Sequence, residues 1–230
     1  AASSVGSYHH QCMGTIGGNI CQQNRCKYFN QSQWWRSSRP LCFKAGGEIC
    51  HVVNKKGMCY SSYSGDVAPV LLALNAKVIL ESKTAEREIS LESLFSGDGK
   101  VPLNLHGGEI LREIIIPEEA SDGFSTYMKF ANRESIDFPI VGIALWASMK
   151  DEEVRVSFTA VDRRPVRAKS VEDFLGVREL NEETLEEAID LSSKEATPVN
   201  TSIYPPSYKR KIMGLLLKSA LKEAIRRAGR

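Results

Sequence analysis

The hydrophobic pattern divides the chain unevenly. From Thr15 to Cys59 the residues are too polar and too rich in glycine to build a core of their own. Beyond them, strand and helix signatures follow one another. The apolar run Val67 to Ala76 puts Val70, Leu71 and Leu74 on one face, which predicts a short helix capped by Ser64 or Asp66. Lys77 to Leu80 alternates as a strand does, and Glu86 to Leu91 is its expected hairpin partner. A short helix is expected over Ser90 to Phe95, then a strand over Glu109 to Ile116 closed by Pro117. The acidic, glycine-ended stretch Glu118 to Gly123 reads as a linker, so the expected domains are residues 1–118 and 123–230.

The second part opens with a strand over Ser125 to Phe130. Two stronger strands follow, Ile140 to Met149 and Val154 to Val161, joined by the polar turn Lys150-Asp151-Glu152-Glu153 and ended by Arg163-Arg164-Pro165. Helices are expected at about Ser170 to Leu175, Glu182 to Ser193 and Ser207 to Ala228. In the last, Ile212, Leu216, Leu217, Ala220, Leu221, Ala224 and Ile225 form an apolar stripe after Pro205-Pro206, which reads as core. An antiparallel sheet covered by helices makes the fold class α+β.

Charge and composition exclude more than they assign. Lys+Arg 30 against Asp+Glu 28 leaves +2, no electrostatic case for nucleic acid or an anionic membrane as partner. The basic run Lys209-Arg210-Lys211 and Arg226-Arg227 suits the solvated face and C-terminal end of a helix. No apolar run nears the roughly 18 residues that span a bilayer, and no export signal is visible, so a cytoplasmic location is expected. The chain lacks an initiator Met, and Ala1 to Gly6 reads like the tail of a helix entering a turn; the expectation is a start partway through a domain.

Candidate chemistry gathers early. Thr15-Ile16-Gly17-Gly18-Asn19 offers a double glycine able to take positive φ and expose successive amides as an anion nest, although such tripeptides are usually plain turns. His9 and His10 in the turn-rich stretch Ser7 to Gly14 read as a surface pair. Six cysteines stand at positions 12, 21, 26, 42, 50 and 59, with none beyond. Three readings are open: a disulfide framework, structural zinc, or an iron–sulfur centre wrapped by a loop. Only one pair, Cys21 and Cys26, stands at the C-x4-C limit of usual zinc spacing, and no second such pair complements it. Tyr28, Phe29, Trp34 and Trp35 are expected to shield such a centre from solvent. Asp66 reads first as a helix cap and second as an acceptor for a ribityl or ribose hydroxyl.

These residues resemble a known family. Val5-Gly6-Ser7 with Met13-Gly14-Thr15-Ile16-Gly17-Gly18-Asn19 is similar to the second flavin loop of the flavoprotein subunits of molybdenum hydroxylases, such as the medium subunits of xanthine and carbon monoxide dehydrogenases. Ser64-Gly65-Asp66-Val67-Ala68-Pro69-Val70-Leu71-Leu72-Ala73-Leu74 and Glu109 to Pro117 resemble later segments of the same domain. The remainder looks like the family's C-terminal domain. Implied is the C-terminal half of a PCMH-type FAD-binding domain, with Thr15, Ile16, Gly17, Gly18, Asn19, Asp66 and Lys129 as flavin candidates. Lys129 would approach the isoalloxazine edge.

Most members join the loop to the aspartate segment briefly, whereas about 40 residues intervene here. This insertion, at about 22–62, resembles that of the β subunit of 4-hydroxybenzoyl-CoA reductase. The resemblance implies a [4Fe–4S] cluster on Cys26, Cys42, Cys50 and Cys59, with Cys12 and Cys21 left as structural thiols. It further implies electron transfer from ferredoxin through the cluster and FAD to a [2Fe–2S] small subunit and a molybdopterin-binding large subunit, where the aromatic ring is reductively dehydroxylated. Two alternatives stand beside it: a related xanthine or aldehyde oxidoreductase subunit, and a zinc-stabilised, non-catalytic binding module. Two departures bear on the resemblance: His9-His10-Gln11-Cys12 replaces the family's Gln-Ile-Arg-Asn, and the family's first flavin subdomain, expected before Ala1, is not among these residues, so a fragment or a separate chain for that half is expected.

Overall fold

The computed structural model describes residues 1–148, 150, 152–176 and 182–228; Met149 and Asp151, assigned above to a strand end and a turn, lie outside them. In chain order the helices are α1 (Tyr8–Met13), α2 (Ile16–Ile20), α3 (Gln33–Ser37), α4 (Val67–Ala73), α5 (Lys169–Leu175), α6 (Glu182–Ser192) and α7 (Pro206–Ala228). The strands are β1 (Ile49–Cys50), β2 (Lys55–Lys56), β3 (Lys77–Glu81), β4 (Glu86–Ser90), β5 (Ile110–Ile115), β6 (Phe124–Phe130), β7 (Val141–Ser148), β8 (Glu153–Thr159) and β9 (Val166–Arg167). Short 3-10 turns stand at Ala2–Ser4, Phe43–Ala45, Glu92–Leu94 and Glu118–Asp122.

Two antiparallel sheets carry the fold, in the orders β4-β3-β5 and β6-β7-β8-β9. In the first, β3 is central, and its inward residues Val78 and Leu80 join Ile20, Tyr63, Leu71, Leu91 and Phe95 in one core. In the second, β7 is buried on both faces, which is why it reads as a continuous apolar run rather than an alternating one. Val141, Ile143 and Leu145 face the helices, packing with Val171, Met213, Leu217 and Leu221. Ala144 and Trp146, pointing the other way, meet Ala73, Val70 and Leu74 of α4.

Helix α4 is therefore the joint between the two sheets. On β8, Ser157 and Thr159 are fully buried polar residues, and their hydroxyls donate to the carbonyls of Pro69 and Gly65, the latter at 2.9 Å. Arg167 donates to the Leu72 carbonyl at 3.1 Å, satisfying the other end of the helix. An apolar strand face thus receives a helix, and two hydroxyls pin its N-terminal turn.

The mixed α+β architecture is as expected, and the strands and long helices fall close to their sequence signatures. Three differences are local. Ser7 to Gly14 is largely helical, as α1, where a turn was expected; the Ser90 to Phe95 helix is a single 3-10 turn; and in α7 Ile225 is 39% exposed while Met213 is buried.

Candidate functional site

The insertion begins and ends at one point. Arg25 and Ser62 pair as an antiparallel bridge, with N–H···O distances of 2.7 and 3.0 Å. The C-terminal half clasps this neck. Lys27 N–H donates to the Thr201 carbonyl, the Ser62 and Thr201 hydroxyls lie 2.8 Å apart, and fully buried Asn24 donates from Nδ2 to the Ser61 and Arg163 carbonyls at 2.8 and 2.7 Å.

Inside that neck each cysteine sits on its own small turn. The Cys26 N–H donates to Asn30 Oδ1 at 2.8 Å, closing a loop over Tyr28 and Phe29. Cys42 opens the 3-10 turn Phe43–Ala45, which Gly46 ends with φ of +103°. Gly47 then passes so close to the Leu41 carbonyl that a Cβ there has no room. Cys50 is carried by the β1–β2 hairpin, and the Cys59 N–H donates to Asp98 Oδ1 at 3.3 Å.

These turns bring Cys26, Cys42, Cys50 and Cys59 to the wall of one cavity. The rest of the wall is Tyr28, Phe29, Phe43, Lys44, His51 and Val52. Cys26, Cys50 and Cys59 are buried, Cys42 is half-buried, and none of the six cysteines forms a disulfide. Cys12 and Cys21 lie elsewhere, the first exposed. Among the described residues, no three His, Cys, Asp or Glu side chains converge as ligands of a single metal ion. A tetrahedral zinc with Zn–S of about 2.3 Å would hold its sulfurs roughly 4 Å apart. A four-iron cluster spreads its four thiolates over a larger core, so four soft donors around a cavity, rather than a point, fit the larger centre.

The electrostatics agree with a site completed by a cationic core. Burial pushes the Cys26 thiol up to about 11, against the pull of nearby backbone N–H groups of Tyr28 and Phe29. Burial also raises Cys59, while hydrogen bonds from Ser61 pull it back. Iron would replace protons that the chain alone holds on these sulfurs. The Ser61 N–H points at Cys59 Sγ from 3.5 Å, a contact that strengthens once the sulfur is a thiolate.

The flavin candidates form a second feature, joined to the first by Asn24 on one side and Tyr63 on the other. The Thr15–Asn19 stretch is not a left-handed nest. Gly17 and Gly18 do not have positive φ; they form the first turn of α2, and Thr15 caps it by accepting from the Gly18 N–H at 2.9 Å. The N–H groups of Ile16 and Gly17 lack an intrahelical acceptor, as first-turn amides do. Asn19 turns inward, its Oδ1 accepting from the Val67 N–H at 3.1 Å. The expected cap on α4 is thus supplied by Asn19, because the Asp66 side chain makes no capping bond and Ser64 is buried behind it.

Asp66 looks the other way. Tyr127 and Lys129, two apart on β6 and so on one face, reach it across the junction: Tyr127 Oη donates to Oδ1 at 2.7 Å, and Lys129 Nζ lies 3.1 Å from it. Lys129 also donates to the Ser4 and Asp137 carbonyls at 2.9 and 2.8 Å, which occupies all three of its protons. Burial raises the Asp66 carboxyl above its ordinary range, opposed by Tyr127 and Lys129.

Other residues here were not legible. Lys44, Ser61 and Tyr63, whose hydroxyl donates to the Asn19 and Ile20 carbonyls, carry no motif. The aromatic shield is also redistributed: Tyr28, Phe29 and Phe43 line the cavity, whereas Trp34 is 82% exposed and half-buried Trp35 stacks beneath Arg39 instead. His9 and His10 are exposed, with His10 Nδ1 2.9 Å from the Ser7 hydroxyl.

Residues 1–119 match the FAD binding domain in molybdopterin dehydrogenase, and residues 126–224 match the CO dehydrogenase flavoprotein C-terminal domain. The chain belongs to this family.

Among curated relatives, the glyceraldehyde dehydrogenase medium chain of Sulfolobus acidocaldarius is 29% identical over 70% of this chain and 57% of its own. The nicotinate dehydrogenase FAD-subunit of Eubacterium barkeri is 26% identical over 83% and 53%. The chain thus spans little more than half the length of these two relatives. The fold is that of CO dehydrogenase from Oligotropha carboxidovorans, with a TM-score of 0.64 at 21% identity over 70% of this chain and 56% of that one. It also matches the Hydrogenophaga pseudoflava enzyme, with a TM-score of 0.63 at 23% identity over 82% and 67%.

Proposed function

We propose that this chain is the electron-relay subunit of a molybdenum-dependent oxidoreductase, holding FAD on one side and a [4Fe–4S] cluster in the four-thiol cavity on the other. The observation that carries the reading is that Cys26, Cys42, Cys50 and Cys59, drawn from four separate turns, line the same cavity. Bound there, the cluster supplies one-electron transfer, and FAD exchanges one-electron for two-electron steps. The chain's own part is to hold and insulate. The four thiolates would ligate iron, and Tyr28, Phe29 and Phe43 keep water from the sulfurs.

On the flavin side, Ile16 and Gly17 present first-turn amides suited to a pyrophosphate oxygen, in a turn that Thr15 fixes by accepting from Gly18. Asn19, Asp66 and Lys129 act by locking that turn, α4 and β6 to one another. The division into residues 1–118 and 123–230, the cytoplasmic setting, and partner subunits bearing molybdopterin and [2Fe–2S] centres belong to the same reading. No described helix is long and apolar enough to cross a membrane.

Within that class we place the chain nearest 4-hydroxybenzoyl-CoA reductase, with reduced ferredoxin delivering electrons to the cluster and on through FAD to the molybdenum subunit. The charge of the insertion supports an acidic donor. Residues 22–62 hold seven Lys and Arg against the single Glu48, leaving 23 against 27 in the rest. The reverse flow, outward from a xanthine- or aldehyde-type oxidation, is favoured by the dehydrogenase names of the relatives.

Anaerobic purification with iron and acid-labile sulfide analysis tests the core claim. About four of each per chain, lost together with the broad visible absorption in Cys50→Ser but kept in Cys12→Ser, is the expected result. One zinc and no sulfide would replace the relay by a zinc-stabilised module.

A further inference from the structure

We propose that Lys44 is a positioning charge for the centre held by the four thiols and sets how readily that centre accepts an electron; this rests on the cluster reading above. Among the residues lining the cavity, Lys44 is the one with a permanent charge. Its ammonium donates to the Asn24 carbonyl at 3.0 Å and lies 5.0 Å from the Phe29 ring. The anchor is rigid, since Asn24 is fully buried and tied to two further carbonyls at the neck. Among the described residues no carboxylate forms an ion pair with Lys44.

Of the insertion's other cations, Arg25 lies over Phe138, Arg39 over Trp35 and Lys56 pairs with Glu48, while Arg36 and Lys27 lie over the rings of Phe29 and Tyr28 without lining the cavity themselves. Lys44 is a half-buried cation whose strongest electrostatic partners are the thiols, Cys59, Cys26 and Cys42, with Asp98 a weaker fourth. An unpaired, partly desolvated ammonium needs a reason to be there, and a wall of four thiolates is one.

The consequence follows from charge. Adding one electron from a mediator makes no bond and moves no proton; it leaves the four-thiolate centre one unit more negative. A fixed cation at low dielectric stabilises the more negative state more strongly, so Lys44 raises the reduction potential. Neutralising it makes the centre harder to reduce without changing its ligands.

The test uses the anaerobically purified full chain as wild type, Lys44→Arg and Lys44→Gln, each analysed for iron and sulfide and then titrated with redox mediators while the visible spectrum is followed. At the wild-type midpoint, Lys44→Gln should show a roughly tenfold lower ratio of reduced to oxidised centre, about 59 mV for one electron, while Lys44→Arg stays close to wild type. Should Lys44→Gln lose iron where Lys44→Arg keeps it, the need for the charge is supported as well. A Lys44→Gln titration within about threefold of wild type, or equal loss of iron from both variants, overturns the proposal. Wild-type protein without iron and sulfide sinks the cluster reading and this inference with it.

Discussion

Lys129 and Asp66 meet 3.1 Å apart where the two sheets join, both nearly buried, one from a strand of the second sheet and the other from the turn before α4. The pair converts a covalently loose junction into a fixed angle. Removing the cation leaves a buried carboxylate hydrogen-bonded by Tyr127. Lys129→Met should therefore cost about 3–5 kcal/mol of unfolding free energy, measured by urea denaturation near pH 7. The sign of its pH dependence follows from Asp66. A carboxyl whose folded value is raised binds more protons folded than unfolded, so stability falls as pH rises through the window above the ordinary value. Losing Lys129 widens that window, and the deficit of the variant should shrink as pH is lowered towards 5.

Asn19 holds α4 by its exposed first amide. Asn19→Ala should lower stability by about 1 kcal/mol, the usual cost of a lost cap. Ser64→Ala, at a position first read as a possible cap, should leave the α4 N-terminus intact; amide exchange at Val67 would distinguish the two.

Gly47 is required by space rather than by φ. A methyl group there collides with the Leu41 carbonyl, next to Cys42. Gly47→Ala should keep the two sheets, visible as unchanged far-ultraviolet dichroism, yet displace Cys42. Its alkylation in metal-free protein should then quicken severalfold, and iron retention should fall. Unchanged alkylation would mean that the loop accommodates the methyl group.

Lys209 is almost fully buried on α7, donating to the Ala160 carbonyl at 2.8 Å, and burial lowers it to about 8. Between about pH 8 and its ordinary value the unfolded chain holds a proton that the folded chain has released, so stability rises with pH across that interval. The change amounts to roughly 3 kcal/mol at most. Melting temperatures recorded from pH 7.5 to 10.5 should climb in wild type and flatten in Lys209→Met.

How much of this was readable from the residues depends on the range of the interactions. Strand β3 and the helix α7 announced themselves because one period, two or 3.6, matches one buried face. The α4 cap did not, since Asn19 stands 48 residues from the amide it accepts. The diglycine misled for a related reason: glycine permits positive φ, but Thr15, two positions earlier, caps a helical turn instead. Four cysteines at spacings of 15, 7 and 8 intervening residues could be listed but not gathered. The cavity depends on Gly47, the Asn30 contact and the neck at Arg25, none of which forms a motif. Of the four rings expected to shield the centre, Tyr28 and Phe29 line the cavity together with Phe43, while Trp34 and Trp35 do not.

The pairing of Arg25 with Ser62 has an evolutionary reading. A detour whose entrance and exit touch can be spliced into, or cut out of, a host without disturbing what lies on either side. The thiol-bearing stretch is built like a cartridge, and a lineage could gain or discard its four-thiol pocket by one insertion or deletion while the surrounding domain kept its shape.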